Sequence, residues 1–240
     1  MAEKVKGVAD IVFLIDATGS MQPSINDIKA NIKAFFRTLQ TPDANGAPCV
    51  KDWRARVIGY RDAEHDREWL VKNPFVRDVA QVEAQLDALE AKEGGDEPES
   101  LLDALYLVAK CGSTDKGAQE QDPEKWRYLY DAARCVIIFT DASYKPKTTI
   151  PEAAGLTFTD IGNAIDAEHL RVSVYAPQMS CHDDLSSIDR VEYMPVDCDP
   201  SKPGDAVAKL REFTANRENF KKTMEQIAKS VSIESYAEAL

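Results

Sequence analysis

Two runs of large apolar residues, IVFLI (11–15) and VIIF (136–139), each lead into an aspartate: Asp16 at once, and Asp141 after Thr140. An unbroken apolar run has no polar face to offer water. It fits a strand covered on both sides, as in a parallel sheet flanked by helices. The intervening sequence supplies those helices. From 21 to 40, Ile25, Ile28, Ile32, Phe35, Phe36 and Leu39 recur on one helical face. Helical spacing returns over 79–91 (Val79, Val82, Leu86 and Leu89 inward), 100–110, 158–168 and 205–230. Further strands are expected over 56–60, 170–175 and 190–195, with a short antiparallel edge strand near 69–71. The stretch 41–52, TPDANGAPCVKD, is rich in turn formers, and the charged stretch 111–126 reads as a surface loop.

Strands alternating with helices predict an α/β fold. It is a three-layer, Rossmann-like open sheet of about six strands, mostly parallel with one short antiparallel edge strand, and helices on both faces. One domain over 1–230 with a tail over 231–240 accounts for the length. In such sheets ligands bind beyond the carboxyl ends of the strands, where the strand order reverses. Asp16 and Asp141 both sit at such ends and can meet in space.

Charge and composition exclude other classes. The chain has 29 Lys and Arg against 41 Asp and Glu, a net charge of −12. That leaves no basic footprint for a phosphate backbone, so no nucleic-acid partner is expected. No apolar stretch approaches the ~20 residues of a membrane span, and the opening residues lack the pattern of a secretory leader. The cysteines, Cys49, Cys111, Cys135, Cys181 and Cys198, are odd in number and contain no CxxC pair. A reducing, cytoplasmic setting fits them best. Cys181, His182 and Asp183 with Cys198 read as a polar loop with reduced thiols rather than a metal site. His65, His169 and His182 have no spacing that suggests catalysis and read as surface or packing residues. Arg61 and Asp62 read as a surface ion pair, or alternatively as a contact at the rim of the site.

The loop after the first strand, DATGS, places Asp16, Thr18 and Ser20 at alternate positions. Each alone would serve as a helix N-cap. Together with Asp141 they form an all-oxygen donor set suited to a hard divalent cation, Mg2+ or Mn2+. Gly19 is expected to permit the turn. A third loop, GGDEPES (94–100), should enter the same space, its glycines allowing unusual backbone geometry. It offers Asp96, Glu97 and Glu99 as further oxygen donors.

The segments IVFLIDATGSM, EGGDEPESLLDAL and VIIFTDA, in that order, resemble the three loops of a von Willebrand factor A domain. Those loops form the family's metal-ion-dependent adhesion site. Asp16, Thr18 and Ser20 match its first motif, Asp-x-Ser-x-Ser, and Asp141 matches the strand-ending Asp of its third loop. DATGSM, VIGYRDA and GGDEPES look most like the intracellular, hemicentin-like or α-kinase-associated branch. The resemblance covers roughly 8–230. It implies a metal-dependent protein-binding module, an adaptor or scaffold rather than an enzyme, whose partner is another protein reached through an oxygen ligand to the metal. The second loop departs from the family pattern. Where a neutral Thr is usual, this chain offers Glu99, with Asp96 as the alternative. A third carboxylate leaves the loaded site with one net negative charge, so the open position should prefer water or a neutral oxygen.

An enzyme reading starts from the same motif. An Asp after a buried strand, followed by Thr-Gly-Ser, is similar to the nucleophile loop of magnesium-dependent, haloacid-dehalogenase-like phosphohydrolases, with Asp16 as nucleophile. That chemistry also needs a later lysine and a late pair of acids. Asp183 and Asp184 are the available pair, and they do not follow a strand.

Overall fold

The computed structural model describes residues 7–40, 50–95, 97–199, 201, 202, 204–216 and 218. Asp96, most of the loop 41–52, the end of the helix expected over 205–230, and the tail 231–240 lie outside them. The described residues form six strands: β1 (Val8–Asp16), β2 (Asp52–Tyr60), β3 (Leu70–Lys72), β4 (Ala133–Phe139), β5 (Leu170–Pro177) and β6 (Val191–Val196). Six α-helices join them: α1 (Gln22–Gln40), α2 (Val79–Ala88), α3 (Leu101–Ala109), α4 (Phe158–Ala167), α5 (Ser180–Leu185) and α6 (Asp205–Ala215).

The sheet order is β3-β2-β1-β4-β5-β6. Only β3 is antiparallel, pairing with β2 at the edge. The expected fold class is the observed one. β1 lies between β2 and β4, so the chain reverses its direction of travel across the sheet at the β1–β4 boundary. That boundary is where a doubly wound sheet opens a crevice at its carboxyl edge.

The alternation of side chains along β1 divides the core in two. Ile11, Phe13 and Ile15 pack with α1, α2 and α6, while Val12 and Leu14 pack with α3 and α4. Both faces are covered, which is why the run needs no polar residue.

Some expectations change. β2 begins at Asp52, four residues earlier than the apolar run at 56–60 suggested. Its early part pairs Asp10 with Arg54 in register. Buried Asp10 accepts from Arg54 Nε (3.0 Å) and Nη2 (2.6 Å), from Arg127 Nε (2.7 Å) and from the Arg127 amide (2.7 Å). Charged residues can sit inside a strand because they satisfy one another, and this hid the strand's start.

The stretch 111–126 is not simply a surface loop. Trp126 is fully buried, and its indole N–H donates to Val108 O at 2.9 Å. Carbonyls of Asp122, Glu124 and Lys125 accept from Arg54 and Arg56.

The segment 181–184 is helical, within α5. His182 is a packing residue: it is fully buried, its ring nitrogens 2.8 Å from Pro177 O and 3.1 Å from Ala142 O.

Candidate metal centre

β1 delivers Asp16 to the crevice with no solvent exposure. Its carboxylate organises the loop that follows. Asp16 Oδ1 accepts from the Thr18 amide (3.0 Å) and from Thr18 Oγ1 (2.6 Å). Thr18 Oγ1 lies 3.0 Å from Ser20 Oγ, which donates to Asp141 Oδ1 at 3.0 Å. Thus Asp16, Thr18, Ser20 and Asp141 form one continuous chain of oxygens across two loops. Gly19 opens a 3-10 turn, Gly19–Met21, outside the left-handed region, so the turn there does not depend on glycine's freedom.

The third loop closes the space from above. Gly94 has φ of +100°, and a Cβ there would stand 2.6 Å from Thr18 Cβ. Glycine is required at this position by both conformation and close approach. The Gly19 amide donates to Glu93 O at 3.0 Å, and the Lys92 amide to Ala17 O at 3.0 Å, tying the third loop to the first. The same ties pull residues 89–92 out of helical geometry, so α2 stops at Ala88 rather than running to 91.

Glu99 lies at the base of this loop, 5% exposed, held in place by backbone bonds to Ser143 and Tyr144's neighbour Lys145. It lines, with Thr18, Ser20, Glu97 and Asp141, a cleft of about 210 Å³. The Glu97 carboxylate accepts from the Ser143 amide at 2.5 Å. Asp96, the alternative donor, lies outside the described residues.

The electrostatics of this cleft are one-sided. Burial first, then the Asp16 and other nearby acid charges, push the Glu99 carboxyl up to about 9. Burial and the Asp16 charge push Asp141 up to about 7. Burial also raises Asp16 itself, against the hydrogen bonds from Thr18 and Thr140. Asp141 Oδ2 and Glu99 Oε2 are buried and have no hydrogen-bond partner among the described residues. Lys145 is close enough to favour ionised Glu99, but its ammonium is bound by Asp62 and by Glu64 (2.7 Å). Hard oxygens with spare lone pairs and excess negative charge are the donor chemistry of Mg2+ or Mn2+. Among the described residues, no three His, Cys, Asp or Glu side chains stand together as a metal cluster. The set is instead carboxylate and hydroxyl mixed.

Two participants escaped the sequence reading. Thr140 Oγ1 donates to Asp16 Oδ2 at 2.7 Å. Tyr60, fully buried and in register with Asp16, has its phenol raised well above its ordinary value by burial and then by the Asp16 charge. Both looked like ordinary strand residues in the sequence; only their position at the crevice end of the strand hinted otherwise.

Arg61 and Asp62 are not a surface ion pair. They are 2% and 1% exposed and face different partners. Arg61 donates to the carbonyls of Ala17 (3.0 Å), Glu68 (2.6 Å) and Glu90 (2.8 Å). Asp62 accepts from Lys145 and lies 2.7 Å from His65 Nδ1. Backbone carbonyls, invisible in a residue pattern, decided where the arginine went.

No family model matches the sequence, and no curated protein does. Solved structures match by fold. Proximal thread matrix protein 1 from the mussel byssus superposes with a TM-score of 0.51 at 12% identity, covering 90% of this chain and 47% of that one. A second crystal form of it gives 0.52 at 16%, covering 91% and 48%. This chain therefore spans about half the length of those solved chains. At such identities the likeness concerns the fold alone, a six-stranded mixed α/β sheet.

Proposed function

We propose that this chain is a metal-dependent protein-recognition module, an adaptor or scaffold of the von Willebrand factor A kind, acting in the cytoplasm. Asp16, Thr18, Ser20 and Asp141 would hold Mg2+ or Mn2+, with Glu99 as the acid of the third loop. The observation that supports this reading is the pair of buried carboxylate oxygens, Asp141 Oδ2 and Glu99 Oε2, that have no partner among the described residues, in a cleft already crowded with acid. Packing carboxylates together out of water is costly unless a cation joins them. When bound, the ion would neutralise the acids and offer a coordination position to an oxygen of the partner.

The chain's own residues prepare that position. Thr140 and the Thr18 amide hold the two Asp16 oxygens in place, and Ser20 orients Asp141. Asp16 and Asp141 would balance a divalent ion, and Glu99, if drawn in as a third carboxylate, would leave one net negative charge, so that the open position would favour a neutral oxygen over a carboxylate.

The phosphohydrolase reading has less behind it. Asp16 is fully buried and both its oxygens already accept hydrogen bonds, which suits a ligand better than a nucleophile. Lys145 is engaged by Asp62 and Glu64.

The test is a thermal melt of the full chain in EDTA and in excess Mg2+, beside Asp16→Asn. A ligand at about 100 times its Kd adds roughly 2.7 kcal/mol to the native state. That predicts a rise of about 5–10 °C for a chain of this size. The variant should show no rise. Equal melting with and without metal would overturn the reading.

A further inference from the structure

We infer that the partner of this site is a basic, extended peptide segment of another protein, lying in a groove that leads away from Asp141. The inference rests on the metal reading above and names the partner class for the same site. The groove has a volume of about 840 Å³ and runs between α5 and the start of α6. It is continuous with the metal cleft, because Glu97, Asp141 and Val207 line both.

Its charge is one-sided. Glu97 and Asp141 stand at the cleft end, and Asp183 and Asp199 stand along the walls. Lys202 is the cation among the described lining residues, and Asp199 binds it at 2.9 Å. Asp141 is 3% exposed, and its Oδ2 lacks a partner among the described residues. The metal reading gives that oxygen to the ion, which leaves Glu97, Asp183 and Asp199 as the acids that face a peptide along the groove. Met179 and Val207 supply apolar surface between the acids. Lysine and arginine match that pattern, since their methylene stems cover apolar surface while their heads reach carboxylates. An acidic peptide would meet like charge along the whole path, which disfavours its approach.

The test uses the full chain and two fluorescein-labelled peptides read by anisotropy. One repeats Gly-Lys-Ser and the other Gly-Glu-Ser, each with Mg2+ and with EDTA. The lysine peptide should bind saturably, about tenfold or more tighter than the glutamate peptide. Asp183→Lys should weaken it about tenfold. Asp199→Asn, a milder change, should weaken it less, and circular dichroism would establish that both variants are folded. Glu120→Lys, an exposed change outside the groove, should bind as the parent does. Equal binding of the two peptides, or unchanged binding by both folded groove variants, would overturn the inference. A magnesium-dependent melt without a preference for lysine would sink the groove and keep the metal. Groove-dependent lysine binding with no metal effect on the melt would support the groove and sink the metal.

Discussion

Thr140 Oγ1 donates to Asp16 Oδ2 at 2.7 Å, across 124 positions of sequence. The bond joins the ends of β1 and β4, the two strands that flank the reversal in sheet order. Asp16 Oδ1 is taken up by Thr18 and Oδ2 by Thr140, so the carboxylate has one orientation. A carboxylate fixed in this way is prepared for a cation without paying further ordering entropy.

Thr140→Val keeps the shape of the side chain and removes the donor. The Asp16 oxygen is left buried without its bond, at a cost of about 1.5–3 kcal/mol. The melting temperature should fall by roughly 3–12 °C. Calorimetric titration with Mg2+ should show weaker binding, because Asp16 loses its fixed orientation. Unchanged values of both would mean the bond positions nothing.

Glu99→Gln should act in opposite directions with and without metal. In EDTA the substitution removes a carboxyl that burial and Asp16 make costly to ionise, and the melt should rise. In excess Mg2+ the same change removes a negative oxygen from the donor set, and the stabilisation by metal should shrink. The sign follows from the raised value: stability held while Glu99 is protonated is lost as pH climbs toward about 9. The variant in EDTA should therefore also lose part of the parent's decline between roughly pH 5 and 9. A variant that melts lower than the parent in EDTA at pH 8 would contradict this.

Asp10 governs the acid side. Burial alone would raise its carboxyl, but hydrogen bonding and charge from Arg54 and Arg127 overcome that and hold it below 3.8. A depressed value contributes stability above the unfolded value, lost as pH falls through the folded one. Urea midpoints should drop steeply below about pH 4 in the parent. Asp10→Asn should be less stable at neutral pH by about 3–5 kcal/mol, since buried Arg54 loses its counter-charge and Arg127 keeps only Asp52. Its acid-side slope should be shallower.

Arg61→Met tests the frame around the site. The change leaves the carbonyls of Glu68 and Glu90 without the Arg61 donor and Ala17 O with the Lys92 amide alone. Stability should fall by about 3 kcal/mol or more. Hydrogen exchange at Lys92, whose amide reaches Ala17 O, should accelerate more than exchange in the β1 core. A uniform acceleration would place Arg61 in the global core instead.

The sequence by itself determined the layered α/β class, the central strands and the alternating oxygens of the first loop. Those signals are local: burial on both faces demands an unbroken apolar run, and the oxygens of the first loop stand at alternate positions of one short stretch. The apolar code was silent wherever polar groups satisfy one another inside. It missed the first residues of β2, where Asp10 and Arg54 pair, and the burial of Arg61 and Trp126. The fold brought Thr140 onto Asp16, set Gly94 against Thr18, and left Asp141 and Glu99 each with an oxygen that has no partner among the described residues. These depend on which strand ends lie side by side, and strand order is fixed by the packing of helices on the two faces rather than by any single stretch of chain.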